Sequence, residues 1–521
     1  MQQPEAARKF HIPQHPMHNH PTLRTLLLCA LYSFVLLFFL SPDSYLYDCL
    51  AHTDSAWFFM CGKAWMNGMT PYVDFADSKG PLLWLIYGIG YLLNKHSFVG
   101  VFWVSILFYT AVLYIVYKLS RLYLDAGSSA LCTALLPLVI FFDWFHNEIR
   151  VEDFCYPFIM FSLYGLCRVI RQEEITKRSI FLVGGGIGVS FTACLLMKWN
   201  IAAMIGFVML CTFILSFKRK VPRECLGGMV AGAVALALPF LIYFLAFADL
   251  GAMIKEYFLN TFQTMHGRTN ALDVLTFDKQ MLEKEKVTIA LLIGLLLSLL
   301  KYRHFAWLLL CFCVFRIGLG KCSFYYYSVL TPFALFFIIA AVSFVFDKLP
   351  VLRRMVPVWC LLAAVVTVWN DTWLVRHVDQ IYAPLRQQFY RAAYVMAQVE
   401  KPTIFLCNSS YDGPAVLVDA LPSCRYWAGQ FGAPPEMLAE RERCLKAGVA
   451  DFVISTDQDV EGSRQLFDDL KALGYVQYAE ITDIWGVATL SLFGPPGLQL
   501  APDDFYVSQW DIWLKRNIFE I

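Results

Sequence analysis

The sequence is poor in charge: Asp, Glu, Lys and Arg make up 16% of its 521 residues, against about 25% in soluble domains. Its net charge is only +1 and no basic stripe of the kind that follows a phosphate backbone occurs, so we expect no nucleic-acid partner. It has 16 cysteines but no CxxC pair and no Cys/His spacing typical of a metal site. We therefore assign no metal ligands, and a divalent cation is the one cofactor that the sequence leaves open.

Long apolar runs are the main feature of the chain. Hydrophobic residues make up 58% of it, and from Thr22 to about Val375 they recur in runs of the ~15–25 residues that a helix needs to cross a bilayer. The predicted spans are 24–41, 97–120, 129–146, 152–171, 179–197, 199–217, 224–248, 287–300, 304–318, 323–346 and 355–374. A polar tail precedes the first span and no small-residue cleavage site follows it, which predicts a signal anchor. The sequence thus predicts a polytopic α-helical membrane bundle of about 11–13 spans.

The short apolar segment Pro81–Leu93 decides the predicted topology. Its 13 residues are few for a span. If it does not cross, nearly every short Lys/Arg cluster lies in the cytoplasm, whereas crossing would move all of these clusters outside and violate the positive-inside rule. We therefore interpret it as a juxtamembrane or re-entrant helix and place the N-terminus in the cytoplasm. The loops 42–80, 147–153 and 249–286 are then extracytoplasmic, as is the chain after about Val375.

From about Arg376 to Ile521 the charge density rises and the apolar runs shorten. Predicted strands are Thr403–Cys407, Phe452–Ser455, Val476–Ile481 and Ala488–Phe493, and predicted helices are Tyr390–Val399, Pro435–Ala447 and Gly462–Leu473. Such alternation indicates a small α/β domain. The predicted organisation is a transmembrane domain at 1–375 and a soluble, extracytoplasmic α/β domain at 376–521.

The first external loop, residues 42–80, contains two charged candidates. Asp54, just past the first span, is either a helix cap or a general base that takes a proton from an acceptor hydroxyl. Lys79, before the short apolar segment, either snorkels to the interface or neutralises a lipid phosphate. Gly68, Pro71 and Tyr72 between them are turn residues in either case. Spacing alone leaves both interpretations of each charge open.

A second cluster, His146–Asp153, places acids, among them Glu152 and Asp153, at the N-terminal end of the next span. Acids that enter lipid are costly and therefore suggest function, but the helix macrodipole also favours acids at a helix N-terminus. Weaker candidates for substrate contact are His266, Arg268, Tyr325 and Tyr327, for which a solvated loop or an aromatic belt is the simpler explanation. Interfacial anchoring explains Lys198 in the same way.

The order of these features resembles the GT-C superfamily of membrane glycosyltransferases. Asp54 follows the first helix, Gly68-x-x-Pro71-Tyr72 and Lys79-Gly80-Pro81-Leu82 come next, and the acidic cluster follows about a hundred residues after Asp54. Within the superfamily the chain is similar to bacterial relatives of the protein O-mannosyltransferases and of the aminoarabinose lipid A transferase. The resemblance covers about 42–172, and Gly80 replaces the first proline of the Lys-Pro-Pro-Leu motif that is common in such families.

The resemblance implies roles for these residues. Asp54 is the expected catalytic acid and Lys79 the expected contact to the donor phosphate. The second acid is Glu152 or Asp153, with Glu152 preferred, and Arg150 is expected to assist at a phosphate. The implied function is transfer of a hexosyl or pentosyl group from a polyprenyl-phosphate donor to an acceptor hydroxyl. We expect inversion, and we expect the reaction on the extracytoplasmic face of a bacterial inner membrane, in cell-envelope glycosylation.

Two other functions stay open beside the enzyme. A transporter or flippase of a lipid-linked or small solute would bury ionisable residues at mid-bilayer and commonly has internal repeats. Here the acids lie in loops at one face and no repeat is evident. A scaffold that anchors the α/β domain would need neither Asp54 nor Lys79. The sequence favours the enzyme and leaves open whether the acceptor is a glycan, a lipid or a protein.

Overall fold

A computed structural model describes residues 23–47, 54–141, 150–172, 174–262, 286–319, 324–407, 413–429, 435–457, 461–482 and 489–502. In these ranges, eight helices are long and apolar enough to cross a membrane. Their bounds are Leu23–Leu40, Val99–Ser120, Val151–Arg171, Lys177–Leu195, Trp199–Lys218, Pro222–Ala246, Tyr326–Lys348 and Pro350–Trp369. This confirms the predicted polytopic α-helical bundle, so the chain is a multi-pass membrane protein.

Among the described residues, the first half of the bundle contains ten helices, of which one has only four residues. They are α1 (Leu23–Leu40), α2 (Asp54–Met66), α3 (Pro81–Leu93), α4 (Val99–Ser120), α5 (Ala126–Leu135), α6 (Pro137–Ile140), α7 (Val151–Arg171), α8 (Lys177–Leu195), α9 (Trp199–Lys218) and α10 (Pro222–Ala246). The short α11 (Leu250–Met253) leads into a π-helix, Ile254–Asn260. Each predicted span in this half coincides at least in part with a described helix.

In the described ranges, the second half contains four helices and three 3₁₀ segments. Its helices are α12 (Lys286–Ser298), α13 (Ala306–Leu319), α14 (Ala334–Lys348) and α15 (Val356–Met396), and its 3₁₀ segments are Arg303–Phe305, Phe324–Phe333 and Pro350–Met355. The 41 residues of α15 run without a break past residue 375, so the predicted domain boundary falls inside this helix. The separate helix predicted at Tyr390–Val399 coincides with the end of α15, which runs on to Met396.

Close packing of α8 on α10 explains the glycine runs of both helices. A Cβ atom at Gly184, Gly188, Gly228 or Gly232 would overlap the backbone of the facing helix. Small residues let membrane helices approach closely in this way. Both helices continue through their glycine runs, unlike the broken helices that form transporter binding sites.

The helices α2 and α3 form a hairpin against the rest of the bundle. A Cβ at Gly62 of α2 would overlap the backbone of α3, so their axes lie close together. At 1.5 Å per residue α3 is about 20 Å long, which is less than the ~30 Å of the hydrocarbon core. The interpretation of α3 as a helix that does not cross the membrane stays a prediction.

The C-terminal residues form a small α/β domain, as predicted. Its elements are β1 (Thr403–Cys407), α16 (Gly413–Leu417), β2 (Leu421–Pro422), α17 (Pro435–Lys446), β3 (Phe452–Asp457), α18 (Glu461–Ala472), β4 (Val476–Thr482) and β5 (Thr489–Gly494). The sheet order is β2-β1-β3-β5-β4. The β1 strand pairs in parallel with β2 and β3, whereas β5 runs antiparallel to β3 and β4. The sequence did not predict α16 and β2, because five and two residues are too few to show a periodicity.

Candidate functional site

Asp54 is the first residue of α2, at the helix end where a negative charge is stabilised. It is half-buried. Its charge acts on both Asp77 and Lys79 in the loop that connects α2 to α3. The hairpin therefore brings the first candidate acid close to the candidate phosphate-binding lysine, 25 residues further along the chain.

The Gly-x-x-Pro-Tyr turn shapes this loop. Gly68 and Tyr72 both have positive φ, at 91° and 65°, a conformation that glycine adopts freely and other residues rarely. The N–H of Tyr72 donates to the carbonyl of Phe75 at 2.7 Å, which closes the turn. The hydroxyl of Tyr72 donates to the carbonyl of Lys79 at 2.8 Å. Tyr72 is fully buried, so it fixes the backbone that carries Lys79.

Lys79 lies beside a second acid, Asp77. Asp77 is buried, and its Oδ2 atom has no hydrogen-bond partner among the described residues. Burial raises the pKa of Asp77, although Lys79 and Ser78 oppose the shift. Burial alone would lower the pKa of Lys79, but the charge of Asp77 and other neighbours outweighs it and leaves that pKa raised. The raised pKa keeps Lys79 charged beside Asp77.

The residue after Lys79 attaches this loop to the turn between α8 and α9. The N–H of Gly80 donates to the carbonyl of Met197 at 3.1 Å, and the N–H of Leu82 donates to the carbonyl of Leu196 at 2.9 Å. A Cβ at Gly80 would overlap the carbonyl group of Leu196. A proline here would also lack the N–H donor. The departure of Gly80 from the proline of the Lys-Pro-Pro-Leu motif thus has a structural reason.

Gly80→Ala should be destabilising. The added methyl group would push two backbone segments apart and cost about 1–3 kcal/mol, as overpacking does in well-packed interiors. Thermal unfolding in detergent measures this, with Gly185→Ala as the matched control, since the atom nearest to its added Cβ is the carbonyl oxygen of Gly228 at 3.6 Å. Equal unfolding temperatures for the two variants would contradict the close contact at Gly80.

The α8–α9 turn contributes a second lysine. Lys198 forms a buried ion pair with Glu152 at the start of α7, with 10% and 2% of the side chains exposed. Its ammonium nitrogen also lies 3.6 Å from the ring centroid of Tyr326. Burial would lower the pKa of Lys198, but Glu152 and Tyr326 reverse the effect and raise it. The charge of Lys198 also acts on Lys79, so two ammonium groups and three carboxylates lie together at one end of the bundle.

Glu152 and Asp153 have different surroundings. Asp153 accepts from the hydroxyl of Tyr109 at 2.7 Å and from the N–H of Arg150 at 2.9 Å, the second being a helix-capping contact at the start of α7. Glu152 instead faces Lys198, and its Oε2 atom has no hydrogen-bond partner among the described residues. Of the two acids, Glu152 therefore has an oxygen that is available to a ligand.

The other candidates lie elsewhere or are not described. Tyr327 is buried, and the guanidinium carbon of Arg316 lies 5.4 Å from its ring centroid. The neighbouring residue, Tyr326, is the one that contacts Lys198. The residues His266 and Arg268 and the side chain of Tyr325 lie outside the described part of the chain. Arg150 is buried and precedes α7.

Sequence reasoning missed Asp77 as a site residue and explained Lys198 as an interfacial anchor. A signal for Lys198 was present: a lysine in a very short turn between two spans is costly without a partner. No signal distinguished Asp77 from the other acids of the loop, because its burial depends on segments far away in sequence. In the part of the chain that the structure describes, no group of three His, Cys, Asp or Glu side chains is placed to hold a metal ion.

Comparisons with known proteins point to one superfamily. The family model described as dolichyl-phosphate-mannose-protein mannosyltransferase matches residues 78–243, a segment that contains Lys79, Glu152 and Lys198 but not Asp54. A search of curated proteins gives no match.

Solved structures extend the similarity to most of the chain. The crystal structure of ArnT from Cupriavidus metallidurans bound to undecaprenyl phosphate matches with a TM-score of 0.62 at 12% identity, over 90% of this chain and 97% of that one. The apo structure of the same protein matches with a TM-score of 0.53 at 10% identity, over the same 90% and 97%. At this identity the match shows a common fold. Family model and fold together confirm the resemblance to GT-C membrane glycosyltransferases.

Proposed function

We propose that this chain, with a fold shared by ArnT, is a membrane glycosyltransferase that moves a hexosyl or pentosyl group from a polyprenyl-phosphate donor to an acceptor hydroxyl. The observation that supports this most directly is the cluster of Lys79 and Lys198 beside Asp54, Asp77 and Glu152. The mannosyltransferase family model and the ArnT fold support the same reaction class. ArnT was crystallised with undecaprenyl phosphate, and we propose a donor of that class here.

The two lysines have a physical reason to act on the donor phosphate. As the bond between the anomeric carbon and the phosphate oxygen breaks, the phosphate gains one negative charge. Fixed cations in a site of low dielectric stabilise such a developing charge more than water does. We assign Lys79 to the donor phosphate and Lys198 to the charge that develops on the leaving group.

The acids complete the reaction. In our proposal Asp54 takes the proton of the acceptor hydroxyl, whose oxygen attacks the anomeric carbon from the face opposite the phosphate. Attack from that face inverts the anomeric centre. Glu152 is the second acid, because it orients Lys198, and Asp153 caps α7. We place the reaction at the extracytoplasmic face of a bacterial inner membrane, with the N-terminus in the cytoplasm, because that topology satisfies the positive-inside rule.

Lys79→Ala tests the donor assignment without knowledge of the sugar. We expect the wild type to bind undecaprenyl phosphate saturably in native mass spectrometry. The variant should bind it roughly tenfold more weakly or worse, since a charge-assisted hydrogen bond to phosphate is lost. Lys95→Ala is the control, because Lys95 is an exposed lysine just beyond the other end of α3.

Two results would count against the proposal. A folded wild type that does not bind the lipid would remove the donor assignment and favour a transporter or a scaffold. Equal binding by Lys79→Ala and Lys95→Ala would move the phosphate site away from the α2–α3 hairpin.

A further inference from the structure

Four segments that are distant in sequence are hydrogen-bonded in a closed ring next to Lys79. They are the loop 76–80, the α8–α9 turn at 195–198, the π-helix 254–260 and the segment 425–426 of the C-terminal domain. The four links are Ala76 N–H to Arg425 O at 2.8 Å, Arg425 Nη2 to Glu256 Oε1 at 2.8 Å, Tyr257 OH to Leu195 O at 2.7 Å, and Gly80 N–H to Met197 O at 3.1 Å. The ring therefore runs through the stretch with Asp77 and Lys79, and another of its segments ends with Lys198.

Glu256 is the charged link of this ring. It is 4% exposed, and its Oε1 atom accepts from Arg425 and from the hydroxyl of Tyr426, the latter at 2.9 Å. Its Oε2 atom accepts from the side chain of Asn260 at 3.0 Å. A buried carboxylate depends on such partners, because removing the cation leaves an uncompensated charge. A short π-helix such as 254–260 is rare and often marks a functional site.

Glu256 and its neighbours also act electrostatically on the tyrosine that fixes Lys79. The hydroxyl of Tyr72 donates to the carbonyl of Lys79, and Tyr72 is close enough to Tyr257, Asp77 and Glu256 for their electrostatic influence to reach it. Ala76 of the same loop packs in a small apolar cluster with Tyr426 and Met437 of the C-terminal domain. A movement of segment 425–426 would therefore reach Lys79 by two routes, through Ala76 and through Tyr72.

We propose that the Glu256–Arg425 ion pair is the link through which the C-terminal domain positions the Asp77–Lys79 segment for the donor phosphate. Both are positioning residues, since neither touches the phosphate in this scheme. The inference rests on the proposed function for the identity of the ligand, but the order of the loop can be measured without any ligand. It assigns the C-terminal domain a part in the site instead of a role as a cap on the bundle.

The test compares this buried pair with an exposed pair that joins the same two parts of the chain. Lys255, adjacent to Glu256, forms an ion pair of 2.9 Å with Glu436 of α17, and the two side chains are 53% and 81% exposed. Such exposed pairs contribute little, so Lys255→Ala is the matched control. The variants are Glu256→Gln, Arg425→Ala, the double variant and Arg425→Lys, all in the full-length chain.

Two readouts separate this inference from the proposed function. The first is hydrogen exchange of the Ala76 and Gly80 amides in the ligand-free protein, because each amide donates one of the hydrogen bonds of the ring. The second is affinity for undecaprenyl phosphate by native mass spectrometry. We expect Glu256→Gln and Arg425→Ala to speed exchange at both amides and to weaken binding roughly tenfold. We expect no change in either quantity for Lys255→Ala, and partial recovery in Arg425→Lys.

Each further outcome decides a different question. If the double variant loses no more amide protection and lipid affinity than one single variant, the two residues act through a shared link. If both single variants show the same amide exchange and lipid affinity as Lys255→Ala, the inference is overturned. A wild type without lipid binding would overturn the proposed function alone, because the exchange of Ala76 and Gly80 would still show whether the ion pair orders the loop.

Discussion

Asp54→Asn should bind the polyprenyl-phosphate donor and fail to transfer its sugar. The substitution removes the base while it keeps a side chain that is favourable at a helix N-terminus, so α2 should be unaffected. General-base catalysis contributes about 10²–10⁴-fold to a rate, and we expect turnover to fall by that amount. The measurement is release of polyprenyl phosphate from lipid-linked sugars extracted from membranes, beside native mass spectrometry for donor binding.

A second acid of the same loop is the control for this result. Asp74 accepts from the N–H of Thr70 at 2.6 Å and shapes the turn, so Asp74→Asn should leave turnover within a few-fold of the wild type. If Asp54→Asn instead keeps at least about a tenth of the turnover, Asp54 is not the base. Asp77, which is buried next to Lys79, would then be the acid to substitute next.

Lys198→Met should cause the largest loss of stability among the site variants. It leaves the carboxylate of Glu152 buried without its cation, and breaking a buried ion pair in this way costs about 3–5 kcal/mol. The double variant Glu152→Gln/Lys198→Met should recover most of the stability, because no uncompensated charge remains. It should not recover turnover, since the cation that we assign to the leaving phosphate is still absent. Thermal unfolding in detergent and the release assay measure the two effects separately.

An exposed ion pair between membrane helices provides the control for stability. Lys177 and Glu224 connect α8 and α10 at 3.1 Å, with 78% and 26% of their side chains exposed, so Lys177→Met should leave the thermal unfolding temperature close to that of the wild type. If Lys198→Met is as stable as Lys177→Met, the ion pair with Glu152 is not important for folding. If the double variant regains turnover, Lys198 has no part in the reaction.

Segments with a strong pattern were predicted from the sequence within a few residues. The span predicted at 152–171 is the helix Val151–Arg171, and the strand predicted at Thr403–Cys407 has those bounds. Hydrophobic runs and alternation are local signals, because a helix or a strand satisfies its backbone hydrogen bonds within or beside itself. The end of α15 was predicted less well, since its polar continuation past residue 375 has no apolar run to mark it.

In the candidate site, too, some residues were identified from the sequence while the contacts between distant residues were not. Asp54, Lys79 and the acids at the start of α7 were identified from the sequence, because their order and spacing resemble a family pattern. The contact between Lys198 and Glu152 joins residues that are 46 positions apart, and that between Arg425 and Glu256 joins residues 169 apart. No periodicity relates such positions, so neither contact was predicted.

The sequence by itself determined that this chain is a multi-pass membrane protein with a C-terminal α/β domain, and which acid and which lysine to test first. The first follows from the hydropathy and charge of each segment alone, and the choice of Asp54 and Lys79 follows from the resemblance of their order and spacing to a family pattern. Only the tertiary structure decided that Lys198 is a partner of Glu152, that Asp77 is buried beside Lys79, and that Arg425 reaches Glu256. The physical reason is that burial and pairing depend on which helices pack together, and a side chain acquires its electrostatic surroundings only when that packing is complete.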